Sequence, residues 1–333
     1  IMKFFVTFFL SVNALRRNAA TLLLFGLAAS SGAAAPNSNP YWEQYGDNAV
    51  KIQQQSGDTA ETLNFVDFKD GMLVAELEDG VGEISLPVNE SMARNLRLNL
   101  GVLSQVKSLV DQQKYDAALD LLRPLAYPLI KFTPVPETFT QLHLAVQKLI
   151  DTLVGAGEYA EAEDILDRIR LGEAPTSYSQ SAVRLLGAYL ADEQFEAAAR
   201  IAQSLPVQGA YASKIRPILN AADALRGAGQ YDAVIPLYRS ILEAVSGEVR
   251  RNARMWLAYS LVLAGQLDEA RPMINQLKEP PPKDPLFSLH KLLHGSLAYR
   301  EEGYGEALDL LTRGFVRAQT SYQWVPEMLF LIG

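Results

Sequence analysis

Six short segments of this chain share one pattern, a large aromatic or leucine side chain followed three residues later by a small one. The pairs are Tyr115 with Ala118, Tyr159 with Ala162, Phe195 with Ala198, Tyr231 with Val234, Leu267 with Ala270, and Tyr304 with Ala307. Successive leading residues lie 44, 36, 36, 36 and 37 residues apart. A near-constant period of this size marks a stacked-repeat architecture, because one helical hairpin cannot bury its apolar face alone and must stack on copies of itself. Apolar residues recur at helical spacing on both sides of each segment. Leu149, Ile150 and Leu153 precede Tyr159, and Ile165, Leu166 and Ile169 follow it. Gly157, Gly229 and Gly265 sit two residues before a leading residue, where a left-handed glycine can end a helix. Each repeat therefore reads as helix, tight turn, helix. The large side chain is expected to fill the wedge between the two helices of a pair. The small residue on the same face lets the backbones approach.

The six segments resemble the tetratricopeptide repeat family over roughly residues 95–320. The resemblance implies a mostly α fold, a right-handed superhelix of about six α-α hairpins. The chain departs from the family in three ways. Its period is 36 residues against about 34 in the family, Val234 replaces the usual alanine, and Gly295 alone occupies the family's first-helix glycine position. Another helical-hairpin solenoid is the alternative that the spacing leaves open. Pro236 and Pro272 fall inside second helices, where a missing donor and a crowded preceding turn predict kinks. Leu125–Pro136 holds three prolines, accounts for the long first interval, and reads as a loop over one end of a groove. Pro280, Pro281, Pro282 and Pro285 read as a stiff connection before the sixth repeat. Residues 321–333 look like the first helix of a seventh repeat without its partner, which suggests a truncated chain.

Ahead of the repeats, residues 62–90 predict a three-stranded β meander. Asp70-Gly71 and Asp79-Gly80 separate three alternating apolar runs, and Asp-Gly supplies the positive φ of a tight hairpin turn. Three strands barely form a core, so the unit is read as a cap on the helical array. An edge-pairing or docking module is the other reading. Residues 36–61 are read as a linker, with Tyr41, Trp42 and Tyr45 available for packing.

Residues 1–35 carry Lys3, Arg16 and Arg17 and no acid, then an apolar stretch, then a run of small residues. That order is a secretory signal peptide, with an apolar core too short to span a bilayer. A retained anchor extended by Phe4–Leu15 is the alternative. No stable membrane span is expected once the segment is removed. The expected destination is the periplasm or cell envelope.

The chain has no cysteine, three histidines and a formal charge of −8. Disulfides, thiolate metal sites and cysteine nucleophiles are excluded. The acidic balance argues against nucleic-acid binding. His290 and His294 have i, i+4 spacing but lack the glutamate of a zinc-protease motif, and core packing is the expected role. His143 stands alone. Acidic runs such as Glu161, Glu163 and Asp164 read as a solvated helix face. No phosphate-binding glycine loop or nucleophile-base pair is legible. No catalytic residue, metal or cofactor is therefore assigned.

The family resemblance implies that first helices line a concave groove for peptides or partner proteins. Its groove offsets fall on Gln147, Asp151, Arg216, Asp223, Arg226, Asn252, Met255, Tyr259, Ser296, Tyr299 and Arg300. The expected function is an exported, non-enzymatic scaffold or adaptor that binds a protein or peptide partner. An accessory repeat region of an envelope enzyme with catalysis beyond residue 333 is the first alternative. A self-assembling structural protein is the second. Partner identity and oligomeric state are not legible.

Overall fold

The computed structural model describes residues 39–56, 59–76, 82–207 and 215–333. The expected targeting segment, residues 1–35, and the Asp79-Gly80 turn lie outside them.

A small antiparallel sheet comes first. Its strands are β1 (Val50–Ser56), β2 (Thr59–Lys69), β3 (Met72–Glu76), β4 (Glu83–Pro87) and β5 (Leu96–Leu98), in the order β4-β3-β2-β1-β5. The sheet therefore has five strands, not three. It starts inside the expected linker and ends inside the stretch assigned to repeats. The β2–β3 turn has Asp70 at φ 53° and Gly71 at φ 76°, the doubly left-handed geometry that Asp-Gly favours in hairpins. The short helix α1 (Glu90–Asn95) returns the chain to β5, and its N-cap Asn89 accepts from the Met92 backbone N–H at 2.9 Å. Alternation in the strands buries Val50, Ile52, Leu63, Phe65, Leu73 and Ala75 on one face.

The remaining described residues are mostly helical and built from pairs. They are α2 (Val102–Asp111) with α3 (Tyr115–Ala126), α4 (Thr140–Ala156) with α5 (Tyr159–Arg168), and α6 (Thr176–Ala191) with α7 (Phe195–Ser204). Next come α8 (Ile215–Gly227) with α9 (Tyr231–Ala244), α10 (Gly247–Leu263) with α11 (Leu267–Asn275), and α12 (Leu286–Arg300) with α13 (Tyr304–Phe315). A last helix, α14 (Val325–Ile332), packs on α13. All six leading residues of the sequence pattern open a second helix. The small residues three positions later are all buried.

The six turns between paired helices are copies of one geometry. The residue two before each leading position is left-handed: Gln113, Gly157, Glu193, Gly229, Gly265 and Glu302, with φ between 57° and 82°. The next residue's N–H then reaches back five positions to a carbonyl of the first helix. Lys114 meets Leu109, Glu158 meets Leu153, Gln194 meets Tyr189, Gln230 meets Leu225, Gln266 meets Leu261 and Gly303 meets Ala298, all at 2.8–2.9 Å. These are Schellman closures, which satisfy carbonyls that a helix end would leave unpaired.

Several expectations need correction. The leading aromatic side chains do not act alike: Tyr304 meets Tyr299 of its own pair, whereas Tyr115, Tyr159 and Tyr231 reach the first helix of the next repeat. A Cβ placed on Gly155 of α4 would lie 3.1 Å from the Tyr115 ring. Tyr159 meets Tyr189 of α6 edge-on at 5.3 Å, and Tyr231 meets Tyr259 of α10 at 6.3 Å. The proline-rich stretch after α3 is not a loop over a groove. It forms a 3-10 turn, Tyr127–Phe132, with Tyr127, Pro128, Leu129, Ile130 and Phe132 buried. Pro236 and Pro272 lie inside the second helices α9 and α11, where the sequence placed them, and Pro124 lies inside α3.

The stretch ahead of β1 is also ordered. Trp42–Gly46 forms a π-helical turn that lies on the Tyr127–Phe132 turn and, through Trp42, on α5. The Trp42 indole Nε1–H donates to Asp164 Oδ2 at 2.5 Å, and Asn39 Nδ2 donates to the same oxygen and to Tyr127 Oη. Arg123 sits 4.1 Å over the Tyr41 ring, and Arg168 the same distance over Trp42. Beneath them Arg123 makes a two-pronged bond to Glu161, which also accepts from Tyr127 Oη.

Candidate functional site

The first helices α4, α8, α10 and α12 carry the eleven residues expected to line a groove, and the structure divides them. Gln147 and Asp151 of α4 serve as braces between helices. Gln147 Nε2 donates to Ser177 Oγ at 2.5 Å, Ser181 Oγ donates to Asp151 at 2.8 Å, and Arg184 pairs with the same carboxylate. Arg216 and Asn252 stand exposed in the first halves of α8 and α10. Tyr299, 41 % exposed, meets Tyr304 edge-on at 5.6 Å, and Arg300 is exposed beside it.

Of the others, Asp223, Arg226 and Tyr259 come together around Trp256, and Met255 and Ser296 are buried in α10 and α12. Arg226 is only 8 % exposed, and Met255, Tyr259 and Ser296 are 0 %, 3 % and 2 % exposed. The Arg226 guanidinium lies 3.5 Å over the ring of Trp256, with Nη2 on Asp223 at 3.2 Å and Nε on Tyr238 Oη at 3.2 Å. Trp256 meets Tyr259 edge-on at 5.7 Å. The indole face, the Asp223 carboxylate and the Tyr238 hydroxyl together compensate the guanidinium for lost water, so the stack is a platform that holds its charge in place.

Burial of this platform has an identifiable source: residues from the segment before and within α14 lie on it. Gln323 Oε1 accepts from Arg226 Nη2 at 3.1 Å. Trp324 meets Trp256 at 5.6 Å, and its indole N–H donates to Ser288 Oγ of α12 at 3.0 Å. Tyr322 stacks on Trp324 at 4.7 Å. Burial pushes the Glu327 carboxyl up to about 7, against the opposing pull of Arg226. Burial likewise pushes the Tyr231 hydroxyl up to about 12, helped by Glu327.

The sequence reading missed Trp256, Tyr231, Gln323, Trp324 and Glu327. Trp256 follows Met255 directly, and a helical-wheel allowance of one position would have found it. Gln323, Trp324 and Glu327 had been read as the start of one more repeat, and spacing alone does not show that they fold onto α8 and α10.

The histidines are packing groups here. His143 bridges the Tyr178 hydroxyl at 3.1 Å and the Pro136 carbonyl at 3.2 Å, and burial lowers its pKa. His290 and His294 have ring centroids 4.4 Å apart. Burial takes His294 down to about 4, with His290 and Lys291 adding to the effect. Among the described residues no group of three or more His, Asp or Glu is placed to hold a metal ion, and no helix is long and apolar enough to cross a membrane.

Comparison with known families agrees with this geometry in part of the chain. A tetratricopeptide repeat profile matches residues 225–292, from the end of α8 into α12. That stretch contains Arg226, Trp256 and Tyr259. No curated protein matches the chain. The chain thus carries a tetratricopeptide-like repeat region within a helical array that follows a small β sheet.

Proposed function

We propose that this protein is an exported scaffold that binds a protein or peptide partner along the face formed by its first helices. In this reading the six pairs wind as a right-handed superhelix, with those helices on the concave side. The observation that carries it is the Arg226–Trp256–Tyr259 cluster, because arginine, tryptophan and tyrosine supply most of the energy in protein interfaces. The platform lies inside the matched repeat region and comes from neighbouring first helices, as a surface for an extended chain would. The leader-like order of residues 1–35 supports delivery to the periplasm or cell envelope.

Partner capture by proximity labelling in the native host tests the reading. The expected result is a set of envelope proteins lost when Arg216, Tyr299 and Arg300 are replaced by alanine. These three are exposed, so the fold should survive. An unchanged set of captured proteins would remove the groove from the proposal. Sequencing the N-terminus of the protein recovered from the cell tests export. A start between residues 32 and 36 supports it, and an intact leader in the cytosolic fraction contradicts it.

A further inference from the structure

The platform proposed above as a partner site is already occupied, and by the chain itself. Three contiguous residues account for the contacts. Tyr322 stacks on Trp324, Gln323 accepts from Arg226, and Trp324 meets Trp256 and donates to Ser288. They reach three first helices in succession, α8, α10 and α12. Gln323 and Arg226 are 97 positions apart in sequence. A segment that merely continued the array would need to touch only its neighbouring repeat.

The attachment of Tyr322–Trp324 resembles ligand binding more than core packing, while Val325 and Met328 behind them are buried and anchor α14. The segment offers one ring edge, one indole donor and one amide acceptor, each to a side chain of matching chemistry. Gln323 itself remains exposed. Among the described residues no salt bridge includes any of Tyr322–Glu327. On the earlier repeats the corresponding face is braced differently, by Gln147 with Ser177 and by Asp151 with Ser181 and Arg184.

We propose that Tyr322–Glu327 is a displaceable plug on the Arg226–Trp256–Ser288 surface, and that the surface recognises a peptide of the same chemistry, an aromatic residue, a side-chain amide and an indole in sequence. The proposal rests on the reading of this face as a partner site. A tethered plug competes at an effective concentration in the millimolar range, so a free peptide that binds the open surface micromolarly meets a closed one at least ~10-fold more weakly.

The test uses a fluorescein-labelled peptide of residues 320–328 and measures anisotropy with the full chain. The chain with Trp324→Ala should bind the peptide at least ~10-fold more tightly than the unmodified chain. Adding Trp256→Ala should abolish the gain. Gln323→Ala, which removes only an exposed side chain, should shift binding in the same direction by a smaller factor. Equal binding to the unmodified chain and to every folded variant overturns the plug. If Trp324→Ala loses its helical circular dichroism, Gln323→Ala decides alone, and no gain there overturns it. The partner reading fails separately. Peptide binding that opens with Trp324→Ala, beside host capture that ignores Arg216, Tyr299 and Arg300, leaves a self-contact and removes the partner face. Capture that depends on those residues, with no gain in peptide binding, keeps the face and removes the plug.

Discussion

Two segments of this chain fold back onto the repeats, one near each end, and both present a tryptophan to an arginine-bearing surface. The N-terminal one, Asn39–Gly46, lies on the second helices α3 and α5. The C-terminal one, Tyr322–Glu327, lies on the first helices α8, α10 and α12. Both tryptophans donate their indole N–H, and both surfaces use guanidinium–ring stacking. The difference is in the acceptors. Trp42 donates to the Asp164 carboxylate, beside an Arg123–Glu161 ion pair whose side chains are only 12 % and 11 % exposed. Trp324 donates to a serine hydroxyl, and the acid of its segment is held in the range where it is half protonated at neutral pH. Charge-assisted bonds are roughly twice as strong as neutral ones. The first attachment therefore carries the stronger bonds, and the second, whose one charge-assisted contact is Arg226 with Gln323, is the one proposed to exchange.

The largest expected effect tests the fastening. Arg123→Ala leaves Glu161 buried and deprives the Tyr41 ring of its cation, which should cost ~3–5 kcal/mol in urea unfolding. A cost below that of Trp324→Ala would reverse the comparison. Gly314→Ala comes next. Its methyl would fall 2.4 Å from Met328 Cε, which can swing aside, and 2.8 Å from Lys291 Cβ, which cannot, so α13 must move off α12. The expected loss is ~1–3 kcal/mol, with α13 amides exchanging faster than in the unmodified chain.

The two ends of α12's neighbourhood also differ in pH response, with opposite signs. His294 has its pKa lowered to about 4, below the unfolded value, so its contribution is intact above pH 6.5 and is lost as pH falls through 4. Glu327 has its pKa raised to about 7, so its contribution is intact below its unfolded value near 4.5 and is lost as pH rises through 7. Arg226 faces Glu327 and limits the rise. Glu327→Gln should therefore raise the melting temperature at pH 8 and change it little at pH 5. A flat difference across that range would show that the carboxyl is not buried against the platform.

How legible each region was follows from the same physics. The repeats were readable because the small residue of every hairpin is forced by backbone approach, and all six are buried. The β2–β3 hairpin was readable because Asp70-Gly71 leaves few other conformations. β1 was not, because Lys51, Gln53, Gln54 and Gln55 hide the alternation carried by Val50 and Ile52 alone. β5 has only three residues and borrows its pairing from β1. The site was half legible. Helix offsets located Arg226 but could not show that Gln323 and Trp324 lie on it and on Trp256, since contacts across 97 positions leave no local pattern.

The smallest effect concerns the six turns, where sequence and geometry disagree in an instructive way. Three of them use glycine and three use Gln113, Glu193 or Glu302, yet all six adopt the same left-handed conformation and the same five-residue reach. A side chain there carries a steric cost that glycine avoids, partly offset by glycine's greater freedom in the unfolded chain. Glu193→Gly should thus gain ~0.5–1 kcal/mol, and Gly157→Ala should lose about as much. Denaturant midpoints of the two variants, measured together, decide the point. If Glu193→Gly gains nothing, its turn is held by the stacking of α6 and α7 on their neighbours, and the closure is a consequence of the array. If it gains as expected, each hairpin stores its own strain, and the glycine-free turns are the places where the array would open first.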